Sequence, residues 1–105
     1  MMSVYYPKVV CADGFSMSVQ AHAGAYCEPR SNHAVKYSEV EVGFPSDFEP
    51  LLDDYVEMPD SPKGHKDQVF PYVPVSVVTN VIAKHGGMVE GEVPPGVASL
   101  RASDR

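Results

Sequence analysis

The stretch VVCADGFSMSVQA, residues 9–21, decides the fold because it holds a turn signal followed by a strand pattern. The pair Asp13-Gly14 is favoured in two-residue type I′ hairpin turns, whose central residues both have positive φ angles. After this pair, residues 15–21 alternate strictly between apolar and polar side chains, which is the period of a half-buried strand. The stretch therefore predicts a β-hairpin with one face toward a core.

The next apolar segment, YSEVEVGF at residues 37–44, repeats this alternation. It predicts a third strand, with two valines and Phe44 on one face and two glutamates on the other. Beyond it, prolines, carboxylates and large apolar residues are mixed. We expect a short helical turn over residues 47–52, with Ser46 as its N-cap.

A helix is predicted within VPVSVVTNVIAKHGG, residues 73–87, although the segment is rich in β-branched residues. Apolar residues recur at positions 75, 78 and 82, which lie on one face of a helix. Gly86 and Gly87 suit the C-cap, where a positive φ angle is common. A strand over residues 75–81 remains the competing interpretation.

These elements predict one α+β domain spanning residues 1–105: a small antiparallel sheet with one main helix packed on it. A last short strand is expected within residues 88–93, followed by a C-terminal tail at 94–105. Residues 59–68 have the composition of a flexible, exposed loop. One helix cannot cover all the remaining large apolar residues, so we expect a homo-oligomer that buries them. The surplus consists of Phe48, Leu51, Leu52, Tyr55, Phe70 and Tyr72.

The charge of the chain narrows its possible partners. With 14 acidic and 8 basic residues, the net charge is -6, so the chain lacks the basic footprint of a protein that binds nucleic acid duplexes. No apolar run is long enough for a membrane span, and the N-terminal residues lack the apolar region of a signal peptide. We therefore expect a cytoplasmic protein whose Cys11 and Cys27 are reduced and buried.

Catalytic and metal-binding signatures are weak. Cys27 and His33 could form a nucleophile–base pair with Asn32, but their spacing matches no cysteine-hydrolase pattern. Cys11 and His22 add two further metal-ligand types without the close pairs that zinc sites use. We therefore predict neither catalysis, nor a metal, nor a cofactor.

A ligand-binding set is easier to assemble from the sequence. An anionic nucleotide needs guanidinium groups for phosphate, an aromatic face for the base and an amide for specific hydrogen bonds. The loop AYCEPRSNH, residues 25–33, supplies one arginine between two apolar segments. The candidate ligand-binding residues are Arg30, Phe70, Tyr72, Asn80 and Arg101.

The succession DGFSMSVQA, YCEPR, VEVGFPS, EPLL, YVPVSVV and KHGG, over residues 9–88, resembles a family of small proteins encoded by bacteriophages and prophages. Among characterised proteins, the chain is similar to the Thoeris anti-defence sponges. That resemblance implies non-catalytic capture of a cyclic ADP-ribose signal, and of cyclic oligonucleotides in some members. It also implies an oligomer whose aromatic and asparagine correspond to Phe70 and Asn80. Arg30 and Arg101 would be its phosphate-binding arginines.

A second interpretation stays open. The net charge of -6 is also typical of proteins that imitate nucleic acid and occupy a basic groove on a partner. The chain would then be an anti-CRISPR-type inhibitor of a host defence protein. Its carboxylates Glu39, Glu41, Asp53 and Asp54 would form the contact surface.

Overall fold

The computed structural model describes residues 3–62 and 64–102. It shows an α+β fold in which one antiparallel sheet, ordered β4-β3-β2-β1-β5, accompanies one main helix. The predicted fold class is confirmed. The elements are β1 (Val9–Cys11), β2 (Ser16–Gln20), β3 (Glu39–Gly43), a 3-10 helix (Pro50–Tyr55), β4 (Val69–Pro74), α1 (Val75–Lys84) and β5 (Met88–Glu90).

The hairpin of β1 and β2 forms as predicted, but its turn is of a different type. The amide of Cys11 donates to the carbonyl of Phe15 at 2.8 Å, and the amide of Gly14 donates to the carbonyl of Cys11 at 2.9 Å. A loop of three residues, 12–14, thus joins the paired ends of the two strands. Among these three, only Gly14 has a positive φ angle, of 95°. The two-residue turn prediction is wrong, because Asp13 stays at negative φ in a three-residue loop.

Strand β3 ends one residue before Phe44, and this changes the direction of the Phe44 side chain. Val40 and Val42 are buried as predicted, whereas Phe44 is 58% exposed. Its φ angle is 51°, which breaks the strand alternation and turns the ring out of the core. A bulky residue in this conformation costs about 1–2 kcal/mol. The prediction that Phe44 faces the core is therefore wrong.

Strand β4 was not predicted, because its two prolines are atypical of a sheet interior. The position of β4 in the sheet explains these prolines. Since β4 is the edge strand beside β3, Pro71 and Pro74 do not have to donate a hydrogen bond to a further strand. Other segments cover part of its outer edge. Glu57 donates its amide to the Val69 carbonyl at 3.2 Å, and Tyr72 donates its amide to the Tyr26 carbonyl at 3.1 Å.

Helix α1 confirms the helical interpretation of residues 73–87 over the competing strand. Its buried residues are Val78, Val81 and Ile82, which form the apolar face. Gly86 and Gly87 end the helix at φ angles of 92° and 89°. No helix in the described part of the chain is long and apolar enough to cross a membrane.

The segment between β3 and β4 is helical later than predicted. The 3-10 helix begins at Pro50, and its N-cap is Glu49, whose side chain accepts the Leu51 amide. Ser46 does not cap it, because its hydroxyl accepts the Ser16 amide at 2.9 Å.

The inner end of the 59–68 loop belongs to the interior. His65 and Gln68 are buried there. His65 Nδ1 accepts the Glu49 amide at 3.2 Å, and Gln68 Oε1 accepts the Met58 amide at 3.0 Å. Shortening this loop would therefore remove packing and hydrogen bonds.

Beyond α1, β5 pairs with β1, and the tail pairs with β5. Met88 donates its amide to the Leu100 carbonyl at 2.8 Å, and Ala102 donates to the Met88 carbonyl at 2.9 Å. Of the apolar residues that the sequence suggested were surplus, Leu52 and Phe70 lie in the core. Phe48, Leu51 and Tyr72 are exposed, and Tyr55 is half-buried.

We expect Gly96→Ala to destabilise the fold strongly. Gly96 has a φ of 110°, and a Cβ there would lie 2.1 Å from the carbonyl oxygen of buried Tyr37. The matched control is Gly14→Ala, at φ 95° with nothing within 4 Å, which should cost about 1–2 kcal/mol. Urea unfolding should show roughly 3 kcal/mol or more for Gly96→Ala. Equal losses for the two variants would contradict the close approach.

Candidate functional site

The most connected polar feature is a cluster of Asp13, Glu49, Lys84 and His85, which we call the acid–histidine cluster. His85 is the C-cap of α1. Its Nδ1 lies 2.6 Å from Asp13 Oδ2 in the hairpin turn, and its Nε2 lies 2.6 Å from Glu49 Oε1 before the 3-10 helix. Its ring also stacks on Phe15, with centroids 4.1 Å apart. One imidazole thus joins three segments.

The opposite charges in this cluster stabilise one another. Burial would lower the pKa of His85, but the hydrogen bonds to Asp13 and Glu49 outweigh burial and raise that pKa above its ordinary value. The pKa of Asp13 is lowered, first by the Phe15 amide and then by His85. Both ring nitrogens of His85 face carboxylates, an arrangement that favours the imidazolium form, which donates from each side.

Glu49 is the buried charge of the cluster, with 1% of its side chain exposed. Burial raises its pKa, but hydrogen bonds from the Leu51 amide, His85 and Lys84 outweigh that effect and lower it. Lys84 Nζ lies 2.9 Å from Glu49 Oε2. Every oxygen of this carboxylate is thus paired, which a buried charge requires.

A cleft of about 290 Å³ opens beside the cluster. Its lining includes Asp13, Asp47, Phe48 and His85. His85 is not placed to act as a general base in this cleft, because both of its ring nitrogens are already bonded to carboxylates. Among the described residues, no group of three or more His, Cys, Asp or Glu side chains is arranged to hold a metal ion.

The two cysteines are equally unsuited to nucleophilic chemistry. Cys11 and Cys27 are both free and buried, as the sequence predicted. Burial, and next the charge of Asp13, raise the pKa of the Cys11 thiol to about 11. Burial also raises the pKa of Cys27. Thiols with raised pKa values are inert at neutral pH.

A second site lies on the β4 side of the sheet, where Tyr26, Arg30 and Tyr72 form what we call the aromatic–arginine surface. The Arg30 guanidinium carbon lies 5.7 Å from the Tyr26 ring centroid, within cation–π distance. The Tyr26 and Tyr72 centroids are 6.1 Å apart, with their planes at 49°. These two rings are 42% and 40% exposed.

The backbone holds these two tyrosines in place. Tyr26 donates its amide to Glu41 Oε1 at 2.9 Å, and its carbonyl accepts the Tyr72 amide. Tyr72 has a φ of 53°, at a register shift between β3 and β4. This irregularity directs its ring outward beside Tyr26, where it offers a face to a ligand.

Arg30 has unused hydrogen-bonding capacity. Within the described residues it has no ion pair and no hydrogen bond. Its side chain is exposed, so the guanidinium donors face solvent. A planar guanidinium with free donors is well suited to a phosphate.

The predicted ligand-binding residues do not converge on one place in the chain. Arg30 and Tyr72 lie together through Tyr26, whereas Phe70 is fully buried and contacts His65 at 5.1 Å between ring centroids. Phe70 therefore offers no face to a ligand, because its strand alternation points it into the core. Asn80 is exposed on α1.

Arg101 lies at the far edge of the sheet. It pairs with Met88 of β5 and donates from Nη2 to the Gly91 carbonyl at 3.0 Å. Since β4 and β5 are the two edge strands and Arg101 pairs on the outer side of β5, five strand spacings, or roughly 24 Å, separate it from Tyr72.

Sequence reasoning missed two groups. Tyr26 lies four positions before Arg30 in the loop of residues 25–33 that the sequence analysis singled out. The available signal was a tyrosine close in sequence to an arginine. The acid–histidine cluster had no local signal, because His85 lies 72 residues from Asp13 and 36 from Glu49.

Comparisons with known proteins give no further assignment. No protein-family model matches this chain, and neither a curated protein nor a solved structure matches it significantly. Function must therefore be argued from the two sites themselves.

The acid–histidine cluster predicts how stability depends on pH. Asp13 and Glu49 have lowered pKa values when folded, so their contribution exists above their ordinary values of 3.8 and 4.5 and is lost as the pH falls. His85 has a raised pKa, so its contribution exists below 6.5 and is lost as the pH rises through its folded value. We expect the melting temperature to be highest between about pH 5 and 6.5.

The matched variants are His85→Gln and His22→Gln. His85→Gln should remove the fall in melting temperature above pH 6.5, as measured by circular dichroism across the pH range. His22→Gln should retain it, because His22 has no carboxylate partner in the described part of the chain. A fall that persists in His85→Gln would contradict the assignment.

Proposed function

We propose that this protein is a non-catalytic binding protein that captures a small anionic nucleotide on the aromatic–arginine surface. The observation that carries the proposal is the exposed Arg30 guanidinium, which lies over Tyr26 and has no hydrogen-bond acceptor among the described residues. Tyr72 lies beside them. These are the group types that a nucleotide needs: a stacking face for the base and a guanidinium for phosphate.

The support for a class of nucleotide is the sequence resemblance described above, of residues 9–88 to small phage-encoded proteins and, among characterised proteins, to the Thoeris anti-defence sponges. We propose a cyclic ADP-ribose signal, with cyclic oligonucleotides as the related class, held in the cytoplasm of an infected bacterial cell. The occupied nitrogens of His85 and the raised pKa values of both cysteines support capture without cleavage.

One subunit does not complete this site. Arg30, Glu41 and Glu28 all act electrostatically on the Cys27 thiol, and the carboxylates of the two glutamates oppose an anionic ligand. The cleft of about 290 Å³ is lined by the carboxylates of Asp13 and Asp47, which repel an anion, and none of the three surface residues lines it. We therefore propose a homo-oligomer in which subunits meet at the aromatic–arginine surface.

In that oligomer, Asn80 and Arg101 would act from a second subunit. Arg101 would add a positive charge that a diphosphate requires and that Arg30 alone does not supply. This arrangement retains both predicted residues without placing them in one pocket of a single chain.

We expect light scattering to show an oligomer at micromolar concentration, above the monomer mass of 11.4 kDa. Arg30→Glu should keep the fold while changing the association, because it introduces like charge beside Glu28 and Glu41. A monomer at every concentration up to the level used for ligand binding would contradict the proposal that subunits complete the site.

The decisive measurement is calorimetry with cyclic ADP-ribose and a cyclic dinucleotide. Arg30→Ala should weaken binding about ten- to a hundredfold, because a charged hydrogen bond to phosphate contributes roughly 1.5–3 kcal/mol. Tyr72→Asn should weaken it by a similar factor, since base stacking contributes about 1–3 kcal/mol. Asn80→Ala should cost less, because its hydrogen bonds are neutral.

Two controls make this measurement interpretable. Asparagine tolerates positive φ, so Tyr72→Asn should leave the apo melting temperature unchanged or raised. Tyr5→Ala removes another exposed tyrosine, one that contacts His22 and not Arg30, and should bind like the parent. If Arg30→Ala and Tyr72→Asn also bind like the parent, the nucleotide site lies elsewhere.

The alternative function is an acidic inhibitor that binds a host defence protein. Its support is the net charge of -6, although Glu41 and Asp53 already bond to Tyr26 and His65 respectively. This alternative predicts no heat with any nucleotide. It also predicts that Glu39→Lys and Glu41→Lys abolish function while Arg30→Ala does not.

A further inference from the structure

A second concavity lies where β3 ends and β4 begins, away from the acid–histidine cluster. It is a groove of about 220 Å³, which we call the Phe44 groove. Its lining combines three large apolar side chains with two carboxylates. The residues used below are Phe44, Glu57, Met58, Asp67, Gln68 and Val69.

The walls of the groove are fixed by one buried glutamine. Gln68 accepts the Phe44 amide at its backbone carbonyl, at 2.9 Å. Its side chain accepts the Met58 amide at Oε1, at 3.0 Å, and donates from Nε2 to the Gly64 carbonyl at 2.7 Å. Both walls are therefore held by hydrogen bonds before any partner arrives, which lowers the entropy lost on binding.

The apolar side chains of these walls point outward. Phe44 and Met58 are each 58% exposed. Phe44 is held at a φ of 51°, a conformation that bulky residues rarely adopt. Burial of its ring does not compensate for this strain, because the ring faces solvent. Backbone strain that presents an exposed aromatic is typical of a binding surface.

The size of the groove limits its occupant. A drug-sized ligand fills roughly 300–1,000 Å³, and 220 Å³ is smaller than that. A single large apolar side chain is of the right order, as in the anchor pockets of protein interfaces. The size of the groove therefore suits one anchor side chain that projects from a larger molecule.

The charge of the groove indicates which residues should flank the anchor side chain of the partner. Glu57 and Asp67 belong to the lining, and no described lining residue carries a positive charge. A second copy of this chain would bring its own net charge of -6 to the same place. A partner with a basic residue beside its anchor is electrostatically complementary instead.

We propose that the Phe44 groove binds a partner protein through one large apolar side chain flanked by lysine or arginine. This surface uses residues different from those of the aromatic–arginine surface. It would operate whether or not the protein captures a nucleotide.

The test is a selection of random twelve-residue peptides displayed on phage against the immobilised full-length protein. We expect the enriched sequences to share a large apolar residue next to lysine or arginine. Phe44→Asn should lower the affinity of a fluorescently labelled selected peptide at least about tenfold, while the melting temperature stays the same or rises. Asparagine tolerates the positive φ angle that phenylalanine resists. Val35→Asn, at a residue that is 96% exposed outside the groove, should leave binding unchanged.

The charged residues are tested in the same assay. Glu57→Gln and Asp67→Asn should each weaken the peptide about two- to fivefold and reduce the salt dependence of binding. Glu90→Gln makes the same change of net charge at exposed Glu90 on β5, the opposite edge of the sheet, and should have no effect.

Several results would overturn the proposal. One is a selection that enriches no peptide, and another is one that enriches acidic peptides. The proposal also fails if Phe44→Asn binds selected peptides like the parent, or if Glu90→Gln weakens binding as much as Glu57→Gln. A Phe44→Asn variant that unfolds would show that the ring is structural, and Met58→Gln then tests the other wall with the backbone of Phe44 intact.

Discussion

The buried carboxylate of Glu49 is the interaction on which the rest of the structure depends. Its side chain accepts from Lys84, His85 and the Leu51 amide, and its own amide donates to His65. These contacts join the end of α1, the 3-10 helix and the loop before β4. Since an unpaired buried charge costs several kcal/mol, none of these segments can move away without leaving Glu49 unsatisfied.

The parts of the fold that the sequence could predict are those that carry local signals. The hairpin, β3 and α1 were predictable because periodicity and glycine placement are local signals. Strand β4 was not, because Pro71 and Pro74 are acceptable only at a sheet edge, and edge position depends on the whole topology. Phe44 was misplaced for a related reason: alternation predicts its direction only while the backbone stays extended.

The candidate sites divide in the same way. Arg30 and Tyr72 were identifiable by residue type, and Tyr26 was close enough in sequence to have been found. Phe70 and Tyr72 are both aromatic, but the side chain of Phe70 is buried and that of Tyr72 is exposed. Only the register of β4 distinguishes the two. The link from Asp13 through His85 to Glu49 spans 72 and 36 residues, so no local pattern indicates it.

The covering of both sheet edges limits how subunits can meet. At β4, the prolines and the backbone contacts from Tyr26 and Glu57 leave little free ladder. At β5, Met88 bonds to Leu100 and Ala102 on its outer side. A continuous intersubunit sheet is therefore disfavoured, and the proposed association would have to use side chains.

The exposed side chains best suited to association carry backbone strain. Tyr72 and Phe44 both have positive φ angles, and each belongs to one of the two proposed surfaces. Exceptions to local rules at exposed aromatics, while the core obeys those rules, are the kind of position at which a functional site is expected, and they motivate both proposals. The surfaces also differ in charge, since one presents the exposed Arg30 guanidinium and the other the carboxylates of Glu57 and Asp67. Under the two proposals, one acidic chain would take an anionic ligand and a basic partner at separate places.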